Sequence, residues 1–214
     1  MFAYIFTVAI LLIVFLSGYK YYKKRVKEKR EQFIDNYIFP KKVSEMLLKT
    51  YPHLESKDLD LVIKGLRDYF HICNIAGNKM VSMPSQVVDI AWHEFILFTK
   101  KYEFFTNRAL GRFLHHTPAE AMKSKTIAQD GIKLAWRIAC QRESINPSEP
   151  TKLPLLFLLD SLLEISDGFK YSLNCMGKNG ADYCAGHIGC GGTSCAGDSF
   201  AGDSSGCGGG CGGS

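Results

Sequence analysis

Apolar residues recur at three- and four-residue spacing through the middle of the chain. The clearest run lies between Ser56 and Gly77, and its apolar members are Leu59, Val62, Ile63, Leu66, Tyr69, Phe70 and Cys73. This spacing places them on one face of an α-helix. Serine is a favoured N-cap and glycine a favoured terminator, so the sequence predicts an amphipathic core helix between these two residues.

Two neighbouring segments show the same helical pattern. A short helix is predicted after Pro40, ending near Thr50 ahead of Pro52. A longer helix is predicted after Pro84-Ser85 and is terminated by Gly111. Its recurring positions are Val88, Trp92, Phe95, Ile96, Thr99, Tyr102 and Phe105. The aromatic members lie near one face, and we expect Trp92 in the core.

The second half of the chain predicts two more helices. Residues 117–120 read Thr-Pro-Ala-Glu, a capping box with proline at the first helical position, and the helix should continue to about Arg142. A proline-containing loop leads to a last apolar helix at residues 155–165, ended by Asp167-Gly168. Because no segment shows sustained strand alternation, the predicted fold class is all-α.

The N-terminus predicts a membrane anchor. Residues 2–16 are apolar except for Thr7, and with Ser17 and Gly18 they could cross the roughly 30 Å hydrocarbon layer of a lipid bilayer as a helix. Residues 19–30 follow with seven basic side chains against one acidic. Basic residues are retained in the cytoplasm, so we expect a single-pass cell-membrane protein with its N-terminus outside. A cleaved signal peptide is disfavoured, because no basic residue precedes the apolar run.

The charge distribution argues against nucleic acid as a partner. The formal net charge of +5 is concentrated at residues 19–30, and the remainder of the chain is close to neutral. A near-neutral domain lacks the basic surface that nucleic acid requires. The predicted organisation is therefore an anchor at residues 1–19, a basic juxtamembrane segment at 20–30, a helical domain at 31–174 and a tail at 175–214.

The tail is rich in glycine and cysteine. Residues 177–214 contain fourteen glycines, and we expect the tail to be disordered because it has too little apolar surface for a core. Cys184, His187, Cys190 and Cys195 offer three sulfurs and one imidazole, a set that zinc accepts, and a cytoplasmic location would keep the thiols reduced. No C-x-x-C pair is present, so a tail without fixed ligands is the alternative.

A second candidate site combines one carboxylate with three imidazoles. Asp89 and His93 are four residues apart and share a helix face, and His115 and His116 follow the end of the same predicted helix. Such a set can form a metal site or a general base. The zincin motif is absent, because position 97 is leucine. The alternative is structural, with Trp92 and His93 hydrogen-bonding within the helix junction and His116 capping the turn before Pro118.

These segments carry a family resemblance. The run from Met83 to Leu97 contains Asp-x-x-Trp-His, and the run from Gly111 to Pro118 contains His-His-x-Pro. Together with residues 153–160 and the tail, they resemble the glycine-rich domain-containing protein family, in particular its uncharacterised bacterial members. The resemblance implies a helical domain without an assigned activity. Many relatives have a second histidine where this chain has Phe95.

Three functions follow as hypotheses. The first is a non-enzymatic, membrane-tethered scaffold whose helical domain binds a protein partner. The second is a metal-dependent enzyme that uses the cluster of Asp89, His93, His115 and His116. The third is a metal or thiol relay through the tail. RNA binding by the tail is disfavoured, because residues 177–214 contain no arginine and few aromatic residues.

Overall fold

Seven α-helices form the described part of the protein. The computed structural model describes residues 2–116, 125–173, 183–185 and 188. The helices are α1 (Phe2–Asn36), α2 (Lys41–Thr50), α3 (Ser56–Ala76), α4 (Gln86–Ile96), α5 (Thr99–Leu110), α6 (Lys125–Arg142) and α7 (Leu155–Leu162). Two short strands, β1 (Tyr171–Ser172) and β2 (Tyr183–Cys184), pair in parallel. The predicted all-α class is confirmed.

Helix α3 lies at the centre of the fold. It packs against α1, α4, α5, α6 and α7. The apolar spacing recognised in the sequence explains this position, because Val62, Leu66 and Phe70 are fully buried. The helix begins one residue earlier than the serine cap predicts: the N–H of Glu55 donates to the Asp58 carboxylate at 2.8 Å, which closes a capping arrangement.

Aromatic rings fill the core between α1, α3, α4 and α5. Phe105 contacts both Tyr37 and Phe70 with ring centroids 4.6 Å apart, and Phe95 lies 5.4 Å from Phe105. Offset and edge-to-face contacts of this kind add to the stabilisation from burial. Trp92 is buried beside this cluster, as its spacing predicts.

The prediction of one helix from Pro84 to Gly111 is wrong. The chain forms α4 and α5 separately, with Leu97 and Phe98 between them. The Phe98 N–H donates to the Phe95 carbonyl at 3.1 Å. This bond spans three residues, as in a 3₁₀ turn, instead of the four residues of an α-helix. This change of direction brings Tyr102 within 3.1 Å of the Trp92 indole N–H. A tertiary hydrogen bond therefore accompanies the interruption of the helical pattern.

The last predicted helix is also shorter than its apolar pattern. Helix α7 ends at Leu162, three residues before the predicted end. Glu164 has a φ of 51°, in the left-handed region, which an α-helix cannot contain. The predicted capping box at residues 117–120 lies outside the described residues.

The predicted N-terminal membrane anchor is wrong. Within the described residues, no helix combines the length and the apolar character needed to cross a membrane. The predicted single-pass location, with the N-terminus outside and the domain in the cytoplasm, is corrected with it.

The predicted tail contains a few described residues. Tyr183 pairs with Tyr171 and Cys184 pairs with Ser172 in the parallel β-ladder. Ala185 and Ile188 are buried in the core. The disorder predicted for the rest of residues 175–214 concerns residues outside the described part of the chain.

Candidate metal centre

Helix α4 presents Asp89 and His93 one turn apart on the same side. The helix begins after Ser85, whose hydroxyl accepts from the Val88 N–H at 3.4 Å and whose carbonyl accepts from the Asp89 N–H at 2.9 Å. The Asp89 Oδ2 atom lies 3.4 Å from His93 Nε2. The four-residue spacing read from the sequence therefore produces the expected contact.

The loop after α5 brings His116 to this pair. Gly111 ends α5 in the left-handed region with φ of 72°, where glycine is the favoured residue. Farther along the loop, the Leu114 carbonyl accepts from the Tyr102 hydroxyl at 2.5 Å, and that hydroxyl accepts from the Trp92 indole. These two hydrogen bonds connect the loop to α4 and hold the start of the His116 segment in place.

Three ligand atoms converge at this point. His116 Nε2 lies 3.1 Å from Asp89 Oδ1 and 3.0 Å from His93 Nε2. The three side chains form a compact triangle: Asp89 faces His116 through Oδ1 and His93 through Oδ2, and one ligand atom from each residue lies within 4.8 Å of the other two. The two imidazole rings are almost perpendicular, with centroids 4.2 Å apart.

Hydrogen bonds alone cannot account for all three close contacts in this triangle. A neutral imidazole nitrogen carries either one proton or one lone pair. If His116 Nε2 donates its proton to both Asp89 and His93, the lone pair of His93 Nε2 still faces the Asp89 carboxylate without a proton between them. A cation at the centre of the triangle would interact favourably with all three donors at once.

Solvent reaches the triangle from the His93 side. The exposed fractions of the side chains are 49 % for His93, 25 % for Asp89 and 14 % for His116. The indole of Trp92 packs edge-on against the His116 ring at 4.5 Å. One histidine is therefore held against the core, and the other lies at the surface.

The fourth predicted member, His115, lies elsewhere. Its side chain is exposed and packs against the Phe113 ring with centroids 4.8 Å apart. The structural alternative agrees with the structure in part. Trp92 donates to Tyr102 across the junction of α4 and α5, and His93 contacts His116. The turn before Pro118, which His116 would cap, lies outside the described residues.

The predicted tail site cannot be compared with this geometry. Of its four residues, only the backbone of Cys184 falls within the described residues, as part of β2. His187, Cys190 and Cys195 lie outside them. Zinc binding by this set stays a prediction.

Burial favours the neutral form of three nearby groups. It raises the pKa of the Tyr69 and Tyr102 hydroxyls well above the usual range, so both remain neutral hydrogen-bonding groups. It also raises the pKa of the Cys73 thiol to about 12. Among the described residues, Cys73 is not part of the cluster of possible metal ligands.

Asp160 caps the N-terminus of α4, the helix that carries Asp89 and His93, a role that the sequence did not predict. This buried carboxylate accepts from the Ser85 hydroxyl at 2.7 Å, from the N–H groups of Gln86 and Val87 at 2.7 and 3.2 Å, and from Phe169 N–H at 2.9 Å. It therefore satisfies donors at the N-terminus of α4. The available signal was a single acidic residue within an otherwise apolar helix, α7.

The fold and the triangle define a helical protein with a surface-accessible Asp–His–His centre. A family model described as UCP032817-like matches residues 29–188, and the chain belongs to this uncharacterised family. The matched region contains all three residues of the triangle. This family match does not test the resemblance to glycine-rich domain-containing proteins. No curated protein and no solved structure matches the chain.

Proposed function

We propose that this protein is a metalloprotein that binds one divalent transition-metal ion, zinc by preference, through Asp89, His93 and His116. The convergence of their three ligand atoms within 4.8 Å carries the proposal. Imidazole nitrogen and carboxylate oxygen are both ordinary zinc ligands, and two histidines with one carboxylate form a familiar ligand set.

The separations of the donors suit such an ion. With metal–ligand bonds of about 2.0 to 2.1 Å, neighbouring ligands lie about 3.0 Å apart at right angles and about 3.3 Å apart at the tetrahedral angle. The two Nε2 atoms lie 3.0 Å apart, His116 Nε2 lies 3.1 Å from Asp89 Oδ1, and His93 Nε2 lies 3.4 Å from Asp89 Oδ2. Each pair of residues therefore has two ligand atoms at a suitable separation, and the ion would relieve the opposed lone pairs of His93 and Asp89.

Metal analysis of the full chain tests the proposal. The purified protein, stripped with a chelator and reloaded, should bind one zinc ion at the centre. The variants His93→Ala and His116→Ala should weaken this binding by more than about 100-fold, because each removes a ligand rather than a supporting group. Chelator competition followed by elemental analysis measures both the stoichiometry and the affinity.

Two control variants make the result specific. His115→Ala changes the neighbouring exposed histidine and should leave zinc affinity unaltered. Cys184→Ser combined with Cys190→Ser removes half of the predicted tail ligands and separates the centre from the tail. Unchanged zinc affinity in His93→Ala and His116→Ala, with loss in the cysteine variant, would contradict the proposal and favour the tail relay.

A non-enzymatic scaffold is the second candidate function. Large apolar side chains are exposed at Leu97, with an exposed fraction of 72 %, and at Phe104, with 53 %. Exposed apolar side chains mark a partner-binding surface where they form one contiguous patch, and a scaffold function would require such a patch here. Chelator treatment separates the two functions, because a scaffold keeps its partner when the metal is removed.

A further inference from the structure

We infer that the metal centre keeps an open coordination position on the His93 side and takes a small oxygen anion there, such as hydroxide or a carboxylate. This inference rests on the proposed function, because it concerns the ion held by Asp89, His93 and His116. Three features of the structure carry it: the number of donors, their exposure and their charge.

The number of ligand residues favours an incomplete coordination shell. Counting one ligand atom from each residue, the triangle supplies three ligands, and within the described ranges no further histidine, cysteine, aspartate or glutamate joins it. His115, the nearest candidate in the sequence, packs against Phe113. Zinc takes at least four ligands, and sites with three protein ligands complete the set with water or substrate.

The exposure of the donors locates the open position. His116 is backed by the Trp92 ring and has an exposed fraction of 14 %, whereas that of His93 is 49 %. An added ligand can therefore approach from solvent beside His93.

The charge of the centre selects the kind of ligand. Two neutral imidazoles and one carboxylate leave a divalent ion with a net charge of about +1. Such a centre attracts anions and favours ionisation of a bound water near neutral pH. Oxygen anions small enough to reach the ion beside His93 are the ligands that this charge favours.

Cobalt substitution tests the inference with a spectroscopic readout. The full chain is loaded with Co²⁺ alone, whose visible absorption reports ligand number and type. We expect absorption bands that depend on His93 and that shift saturably when sodium acetate is added at fixed pH. Sodium perchlorate at the same ionic strength is the control, because perchlorate coordinates metals weakly.

The outcomes separate the inference from the proposed function. Bands that are lost in His93→Ala but do not respond to acetate would overturn the open position and leave metal binding intact. Absence of His93-dependent bands would overturn both. His115→Ala should show the same bands and the same acetate response as the unaltered chain, since this residue lies outside the triangle.

Discussion

His71 is a histidine that the core holds in the neutral form. Its Nε2 lies 2.7 Å from the Asp35 carboxylate, which joins α3 to α1. Its Nδ1 is buried and has no hydrogen-bond partner among the described residues. Burial lowers the pKa of His71, and the nearby Arg142 lowers it further, while Asp35 and Asp68 oppose the shift.

This environment makes the stability of the fold depend on pH. Because the pKa of His71 is lower in the folded chain than its usual 6.5, the unfolded chain binds the proton first. The free energy of unfolding should therefore be greatest above pH 6.5 and fall as the pH drops below it, by at most about 1.4 kcal/mol per pH unit from this group. Urea denaturation between pH 8 and pH 5 measures the slope.

Substitution assigns the slope to this residue. His71→Gln retains an amide donor for Asp35 but cannot titrate, so its stability should fall less steeply with acid. His115→Gln, at an exposed position, should keep the slope of the unaltered chain. Equal slopes in His71→Gln and the unaltered chain would show that His71 does not titrate as its burial implies.

At the scale of elements, the packing of α3 against α4 and α7 depends on Gly65. A Cβ atom at this position would lie 2.4 Å from Leu159 Cδ1 and 2.9 Å from Val88 Cγ2. Both distances are shorter than side chains tolerate, so the helices must separate or the neighbouring side chains must shift. Glycine allows the close approach at the centre of the fold.

Gly65→Ala should therefore destabilise the fold by about 1 to 3 kcal/mol, even though alanine favours helix by about 1 kcal/mol. Gly18→Ala in α1 is the matched control, because a Cβ there has nothing within 4 Å. Chemical denaturation compares the two variants. Equal or greater stability of Gly65→Ala relative to Gly18→Ala would show that the contact is not tight.

At the scale of the whole molecule, the fold extends beyond the predicted domain boundary at residue 174. The family match continues to residue 188, and Ile188 is buried with an exposed fraction of 6 %. The pairing of β2 with β1 brings this segment back to the domain, beside Tyr171 and the Phe157 ring that packs on it at 4.9 Å. Ala185 and Ile188 of the glycine- and cysteine-rich segment therefore contribute to the core.

Ile188→Ala should lower the free energy of unfolding by about 2 to 3 kcal/mol, as expected for truncation of a buried aliphatic side chain. Leu173→Ala, at an exposed position, should cost less than about 1 kcal/mol. The comparison uses denaturant melts of the full chain. A negligible effect of Ile188→Ala would place this residue outside the cooperative unit.

Much of the helical architecture could be predicted because it depends on local spacing. Apolar periodicity identified α3 and the all-α class, and the four-residue interval between Asp89 and His93 placed both on one face. The break between α4 and α5 could not be predicted, since Leu97 and Phe98 carry no glycine or proline signal. It accompanies the tertiary bond between Trp92 and Tyr102.

The sequence by itself determined which residues share a helix face, because side-chain direction follows from the helical repeat. Only the tertiary structure decided that His116 rather than His115 joins Asp89 and His93, because the choice depends on the loop path held by Tyr102 and Leu114. It also decided that Asp160 caps α4 from more than 70 residues away. Contacts between distant elements depend on how whole helices pack, and local periodicity does not specify that packing.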